Sequence, residues 1–544
     1  MEYAGSRLDT KVDTKGNPNT VPMLLQYTND IGSRYFVDPW HEDVLGRQVQ
    51  HFKILMGLFV YAKHANGWLE GDPQMGKTTF ANVIGSVMSG LPFDLLDNLQ
   101  LQGHQDQTRD MLIRADLAKL AEEGTVTQAS LFPPTLLLDE FNGLSSGKQI
   151  FWREYLRKRA IEYLGRTYTN RNQTIFITLN PDRDGTYPVS DATRERFDIS
   201  LEFGFIGSHY RRDIRRAKQF ILDDLRDENA LDQAHQKLLD KSVLDKDKIK
   251  WITDFGLKHG QHRDLKPIER SELNRMVVYA QSIPRTPAAE LFIDAFLEEY
   301  NTTPRYGLKR RGDPIDDSPQ NRDASMVSSK ASSGKRGKKK KAPLTFPPLS
   351  IGALPLANAC VQGSISSQFS EAVEDYAGLL AAALDDTCVD IPHLLTVMPY
   401  CLAHRAEFHH DYAGRYRAHP RLRGEREAMD LSRRLINEVK GRADHYINDA
   451  RTLDTFAQGR QLKDGAQKRL MELMTRPATV LHPLLKVMVR DAWKVLQRLI
   501  TSDKPLEQYC QGILAVSKQP LDDIKDRELR EIVKGFKRQR EMVA

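Results

Sequence analysis

Gly71-Asp72-Pro73-Gln74-Met75-Gly76-Lys77-Thr78 constrains this chain more than any other eight residues, because it matches the pattern GxxxxGK[ST]. It follows a strand-like run, Gly67-Trp68-Leu69-Glu70, and opens a helix-like one, Thr79-Phe80-Ala81-Asn82-Val83-Ile84. In that setting glycines let backbone N–H groups turn inward around phosphate oxygens, and the helix N-terminus adds the positive end of its dipole. The expectation is a phosphate cradle running from Gly71 to Thr79. Lys77 would reach the β- and γ-phosphates, and the Thr78 hydroxyl would ligate Mg²⁺. A bare Gly-rich turn is the alternative, and it does not explain the strand before or the helix after.

Asp139 stands 62 residues beyond Lys77, at the end of the apolar run Leu136-Leu137-Leu138, with Glu140 beside it. Two carboxylates at the end of a buried strand are costly unless charge partners wait there. Asp139 fits the Mg²⁺ position, directly or through water, and Glu140 is placed to polarise an attacking water. A third apolar run, Thr174 to Leu179, ends in Asn180-Pro181. Asn180 there would lie between the other two strand ends, to orient the water or to sense the γ-phosphate. Farther on, Arg194 and Arg196 sit in Asp191-Ala192-Thr193-Arg194-Glu195-Arg196-Phe197. If the fold is a ring-forming ATPase, an arginine at this point serves the neighbouring subunit's site as a finger in trans.

Apolar runs separated by amphipathic segments predict an α/β fold, a parallel sheet with helices on both faces. At 544 residues the chain exceeds one domain. Residues 1–43 read as an N-terminal extension, 44–204 as the α/β nucleotide-binding domain and 205–304 as the first part of a helical lid. Residues 305–349 read as a disordered basic insert, lacking the apolar residues needed to offset ordering entropy. Residues 350–406 complete the lid. Residues 407–544 form a C-terminal helical domain, with Leu435, Val439, Ala443 and Tyr446 on one helical face.

Charge follows the same divisions. Residues 305–349 carry a net +8 and residues 405–544 a net +9, so the remaining body carries −11 within an overall +6. The four cysteines (Cys360, Cys388, Cys401, Cys510) form no CxxC pair, which argues against a disulfide framework or a zinc ribbon. His404 and the His409-His410 pair lack a third ligand at useful spacing and read as helix-surface histidines. With no apolar run of membrane-spanning length and no apolar leader at the N-terminus, the expectation is a cytoplasmic protein without a membrane span.

Together these residues resemble the MoxR group of AAA+ ATPases. Asp139-Glu140-Phe141-Asn142 with Gln149 resembles the group's DE-x-N…Q stretch, and Thr178-Leu179-Asn180-Pro181 its T-x-N-P sensor. Gly185-Thr186-Tyr187-Pro188, with Ala192 and Arg196-Phe197, is similar to its GTYPLPEA-x-LDRF block. Val44-Leu45-Gly46-Arg47 is similar to its V-x-G-Q opening. Val389-Asp390-Ile391-Pro392 through Leu402-Ala403-His404-Arg405 resembles its lid ending. The likeness spans roughly residues 44–405 and leaves out the N-terminal extension and the tail.

Three positions depart from the pattern. Gln74 stands where the group usually has Gly. Gln368 falls in the slot of the lid's sensor arginine, for which Arg285 is a second candidate. Arg194 precedes Arg196, and the Arg-Phe match favours Arg196 as the finger.

The resemblance implies ATP and Mg²⁺ as cofactors and ATP hydrolysis to ADP and phosphate, carried out by Lys77, Glu140, Asn180 and Arg196 with Thr78 and Asp139 at the metal. It further implies a homohexameric ring that remodels or activates a partner protein, commonly one with a von Willebrand factor A domain. The alternative is a nucleic-acid-associated NTPase of a defence or mobile-element system, motivated by the +8 insert and the +9 tail. Against it, the tail's cations interleave with acids and no zinc finger, helix-turn-helix or basic–aromatic signature is recognisable.

Overall fold

The computed structural model describes residues 21–103, 132–163, 166–180, 186–240, 243–302, 360–362, 367–408, 427–458 and 483–501, with several positions between 460 and 474. The basic insert at 305–349, His409-His410 and the chain beyond 501 lie outside the described residues. Two compact units are present. One comprises Met1–Pro284, Ser366–Ala406 and Ala413–Arg433; the other comprises Arg285–Ile365, Glu407–Tyr412 and Arg434–Ala544.

The strands of the first unit are β1 (His41–Val44), β2 (Arg47–Gln50), β3 (Asn66–Gly71), β4 (Leu101–Gln102), β5 (Thr135–Asp139), β6 (Ala160–Tyr163), β7 (Arg166–Thr169), β8 (Thr174–Leu179) and β9 (Ile199–Phe203). Pairs β1–β2 and β6–β7 are antiparallel hairpins. The other five form one parallel sheet in the order β4-β5-β8-β3-β9. All six residues of β8 are buried, as expected of a central strand covered on both faces. The register sets Glu70 beside Leu179 and Gly71 beside Phe203, so the exits of β3, β8 and β9 lie level at one edge. The chain leaves β3, crosses to β4 at the far edge and returns through β5 and β8. That reversal opens a crevice at the carboxyl ends of the strands, where α/β sheets bind ligands.

The helix Phe52–Ala62 is apolar nearly all round, and all eleven of its residues are buried. It packs on β3 and against the helices Pro22–Arg34 and Lys77–Ser89. Pro22–Arg34 buries Leu24, Tyr27, Thr28 and Ile31. Helices then dominate the unit: Arg211–Phe220, Glu228–Leu239, Asp245–Gly260, Arg270–Ser282, Ser367–Ala383 and Ile391–Leu402. They make the all-α region after the sheet.

The second unit comprises the helices Pro287–Thr302, the later part of Glu427–Ala457, and Pro483–Thr501, with a short antiparallel strand pair, Cys360–Gln362 against Glu407–Phe408. The α/β sheet, the all-α lid region and the C-terminal helical module of the sequence reading are therefore all present. Among the described residues, no helix is long and apolar enough to cross a membrane.

Candidate functional site

The loop after β3 is built around two glycines. A Cβ on Gly71 would lie 1.9 Å from the Phe203 carbonyl oxygen of β9, and its φ is +150°, so only glycine fits. Gly76, at φ +88°, occupies the N-cap of the helix Lys77–Ser89. Between them Gln74 takes φ +65°, a left-handed conformation that costs an L-residue roughly 1–2 kcal/mol. The sequence departure at Gln74 thus lies where the backbone asks for glycine.

Pro73 through Thr79 line a cleft of about 730 Å³, together with Asp139, Glu140, Thr178 and Asn180. The Lys77 amine donates to the carbonyls of Gly71 and Asp72 (2.8 Å to the latter) and to Asn180 Oδ1 at 3.0 Å. Burial pulls the Lys77 pKa down, while the charges of Asp139, Asp72, Glu140 and Glu70 oppose that pull. The Thr78 hydroxyl donates to Asp139 Oδ1 at 3.2 Å, and the Thr178 hydroxyl donates to the same oxygen at 2.5 Å. Thr178 Oγ1 in turn accepts the Glu140 N–H at 2.8 Å. Glu140 is itself left-handed, at φ +51°, where β5 gives way to a short 3₁₀ turn. Asn180 closes the circuit, its Nδ2 donating to Glu140 Oε1 at 3.0 Å.

Asn142 ties this circuit to the following segment. Its Nδ2 donates to the Asn180 carbonyl at 2.6 Å, and its own carbonyl accepts the Tyr187 N–H at 2.7 Å. Gln149 is buried and donates to the Leu144 carbonyl at 2.9 Å, which makes it a support of the turn after β5.

The structure thus brings together Lys77, Thr78, Asp139, Glu140 and Asn180. The donor set suits a polyphosphate and a hard cation: an ammonium at a helix N-terminus for anionic oxygens, and a hydroxyl beside a carboxylate as oxygen ligands for Mg²⁺.

Arg196 lies elsewhere. It precedes β9, and its carbonyl accepts Asn66 Nδ2 at 2.6 Å, at the entry of β3. At about 3.3 Å of rise per strand residue, that edge is roughly 15–20 Å from the Phe203 end that lines the cleft. With its amide oxygen turned toward the arginine, Gln368 accepts from Arg196 Nη1 at 2.8 Å and donates to the Glu195 carbonyl at 2.8 Å. Gln368 is not among the cleft-lining residues. Arg194 donates to the Val189 carbonyl at 3.1 Å, its guanidinium 6.0 Å from the Trp68 ring centroid. Arg285 belongs to the second unit, where it pairs with Glu290 at 3.8 Å. His404 is not on a helix surface as its sequence context suggests: it is buried in the turn after the helix Ile391–Leu402, stacks on Trp68 at 5.9 Å and bonds the Phe197 carbonyl at 2.9 Å, a structural role.

No family model matches the sequence. Chaperone MoxR1 of Mycobacterium tuberculosis is 27% identical over 154 residues, which cover 27% of this chain and 38% of that protein. Replication-associated recombination protein A of Bacillus subtilis is 30% identical over 171 residues, 31% of this chain and 36% of that protein. The chain therefore spans little more than a third of the length of either relative. This chain is a distant homologue of AAA+ ATPases, in the P-loop NTPase superfamily. A solved structure described as a putative ATPase from Cytophaga hutchinsonii superposes with a TM-score of 0.46 at 12% identity, covering 78% of this chain and 96% of that one.

The rest of the cleft wall was not singled out in the sequence. It comprises Tyr35–Pro39, Lys53, Phe203–Gly207, Ile214, Ala217, Lys218 and Ile221. Asp38 is buried and accepts the N–H groups of Lys53 (2.9 Å) and Ile54 (3.3 Å), capping the helix Phe52–Ala62. Burial pushes its pKa up, and the Lys53 charge pulls it back. The Lys53 ammonium sits 5.1 Å from the Trp40 ring centroid and 5.0 Å from that of Phe203. Val44–Arg47 does not line the cleft; Arg47 instead donates to the Leu384 carbonyl at 2.7 Å and pairs with Asp386.

Proposed function

We propose that this chain is a MoxR-like AAA+ ATPase that hydrolyses ATP to ADP and phosphate, assembles as a homohexameric ring, and uses turnover to remodel or activate a partner protein. One observation carries the reading: Asn180 holds Lys77 through its oxygen and Glu140 through its nitrogen, while Thr78 and Asp139 meet beside them. Lys77 and the cradle from Gly71 to Thr79 bind the polyphosphate. Asn180 fixes the Glu140 carboxylate, which orients water and accepts its proton. Mg²⁺ at Thr78 and Asp139 supplies charge neutralisation at the phosphates.

Arg196 as a finger in trans is supported by its place at the strand edge away from its own cleft. The chaperone named among the relatives supports a protein client, and the resemblance favours one with a von Willebrand factor A domain. The recombination protein's name points instead to DNA transactions. The insert and the end of the tail that motivated that alternative lie outside the described residues.

The test is Glu140→Gln. It should keep nucleotide binding and the sedimentation profile of the wild type while losing phosphate release by about 100-fold or more. Unchanged hydrolysis removes Glu140 from its role and with it this reading of the site.

A further inference from the structure

We propose that the exposed face of the helix Arg211–Phe220 is a docking surface for the phosphodiester backbone of a single-stranded nucleic acid. At about 100° per residue, Arg211, Arg212, Arg215 and Arg216 fall within an arc of about 140°, with Lys218 on its border. All five are exposed. Ile214, Ala217 and Ile221 fall on the opposite side and line the cleft, with Ala217 and Ile221 buried; Lys218, between the two faces, also borders the cleft, and the four arginines do not. Asp213 lies outside the arginine arc; Asp223, in the turn Ile221–Leu225 that continues the helix, falls inside it at its far end and accepts from Gln219 at 2.8 Å. Among the described residues, no carboxylate forms an ion pair with any of the four arginines.

Helix stability does not explain this arrangement. Arg211 and Arg212 occupy the first turn, where the helix dipole favours acids. Nor does overall composition, because the body outside the insert and the tail is net −11. A run of cations set against both its own helix and the surrounding charge is the kind of local conflict that marks a functional surface.

The chemistry selects the partner. Four of the five cations are arginines, whose planar forks suit phosphate oxygens. Four arginines against one carboxylate on this face match a polymer whose charge does not alternate. A membrane surface fits poorly, because the helix has already spent its apolar stripe on packing and has none left to insert. Directly ahead of the helix the His209–Tyr210 ring pair, at 4.2 Å, offers aromatic faces for unpaired bases, next to Phe205, which borders the cleft and is 59% exposed.

The proposal concerns a surface, not the phosphate chemistry, so it is tested without ATP. Full-length protein is titrated against a fluorescent single-stranded oligonucleotide by anisotropy, between about 50 and 200 mM salt. Compared with it are R212E/R215E/R216E, the milder triple glutamine variant, and a charge reversal of Lys338–Lys341 in the insert. Salt-sensitive binding by the wild type is expected, with an affinity at low salt at least about tenfold weaker in the glutamate variant. Its salt slope should flatten by about 2, near 0.7 for each lost phosphate contact, with the glutamine variant intermediate. Matching melting curves show that the variants are folded.

Absence of wild-type binding at low salt overturns the proposal. So does a glutamate variant that binds like the wild type, or a loss confined to the insert variant. If the glutamate variant changes only the sedimentation coefficient, the face is a protein interface and the proposal falls. Phosphate release measured on the same preparations reports on the ATPase reading separately.

Discussion

The Lys77 amine and the Asn180 side-chain oxygen, 103 residues apart in the chain, meet at 3.0 Å. The same asparagine holds Glu140 through its nitrogen at 3.0 Å, so one side chain sets the spacing between the amine proposed to bind phosphate and the carboxylate proposed to orient water. Asn180→Ala removes both tethers and leaves Lys77 its two carbonyl partners. The expected outcome is a kcat lower by roughly 10–100-fold, with nucleotide affinity within a few-fold of wild type. Steady-state phosphate release alongside direct binding of a fluorescent nucleotide separates the two. A change in affinity alone would give Asn180 a binding role only.

The loop from Gly71 to Gly76 makes a paired prediction about backbone rather than side chain. Gln74 is left-handed with no β-branch, so Gln74→Gly relieves strain but adds entropy to the unfolded chain, for a net change between zero and about 1 kcal/mol of added stability. Gln74→Val places a β-branched residue at the same φ and is expected to destabilise by about 1–2 kcal/mol. Gly71→Ala drives a Cβ into the backbone of β9 and should cost more than either, roughly 3 kcal/mol or above. Chemical denaturation of the three variants checks the ranking. If Gln74→Val is neutral, the loop is not held in the left-handed form.

The sequence made the middle of the site legible and left its walls dark, for physical reasons. The runs Leu136–Leu138 and Thr174–Leu179 are continuous because both strands are covered on two faces, and each ends in the polar residues that reach the cleft. Glycines and a lysine at fixed spacing announce the phosphate loop. The far wall has no such local pattern. Phe36–Pro39 and Phe203–Gly207 are distant in the chain and meet in one cleft through the packed fold around the β3–β9 register. Strand β4 is only two residues long, too short for any periodicity to register. The resemblance sets Gln368 in the slot of the lid's sensor arginine, and the packing puts its amide on Glu195 and Arg196, because spacing in sequence does not fix which way a helix start faces.

His64, together with the buried His404, makes stability depend on pH, since burial pulls both imidazole pKa values down. His64 takes φ +52° just past the helix Phe52–Ala62, and both of its ring nitrogens are buried without a hydrogen-bond partner. Burial, reinforced by the charges of Arg270 and Arg159, pushes its pKa down to about 4. Below about pH 6.5 the unfolded chain takes up a proton at this ring while the folded chain does not. Stability is therefore intact above pH 6.5 and declines as pH falls toward 4, by up to about 3 kcal/mol from this group. His64→Asn keeps a residue that tolerates left-handed backbone and removes the titration. Unfolding midpoints near neutral pH and near pH 4.5 should differ by less in the variant than in the wild type. Equal differences would assign the acid sensitivity to other groups.

Arg196 poses the question of which cleft it serves, and complementation answers it. Its guanidinium reaches Gln368, and its backbone, not its side chain, anchors Asn66, so Arg196→Ala leaves that anchor in place. Arg196→Ala protomers keep an intact phosphate loop but present no finger; Lys77→Ala protomers present the finger but hold nucleotide poorly. Each preparation alone should hydrolyse at least about 100-fold slower than wild type if the finger is required. In a random mixture, one interface in about four pairs an intact loop with an intact finger, so turnover should recover to about a quarter of the wild-type rate. A finger acting within its own chain gives no recovery at any mixing ratio. Arg196→Lys, which keeps the charge but loses the planar fork, should fall between the alanine variant and the wild type and shows that the alanine result is not a folding defect.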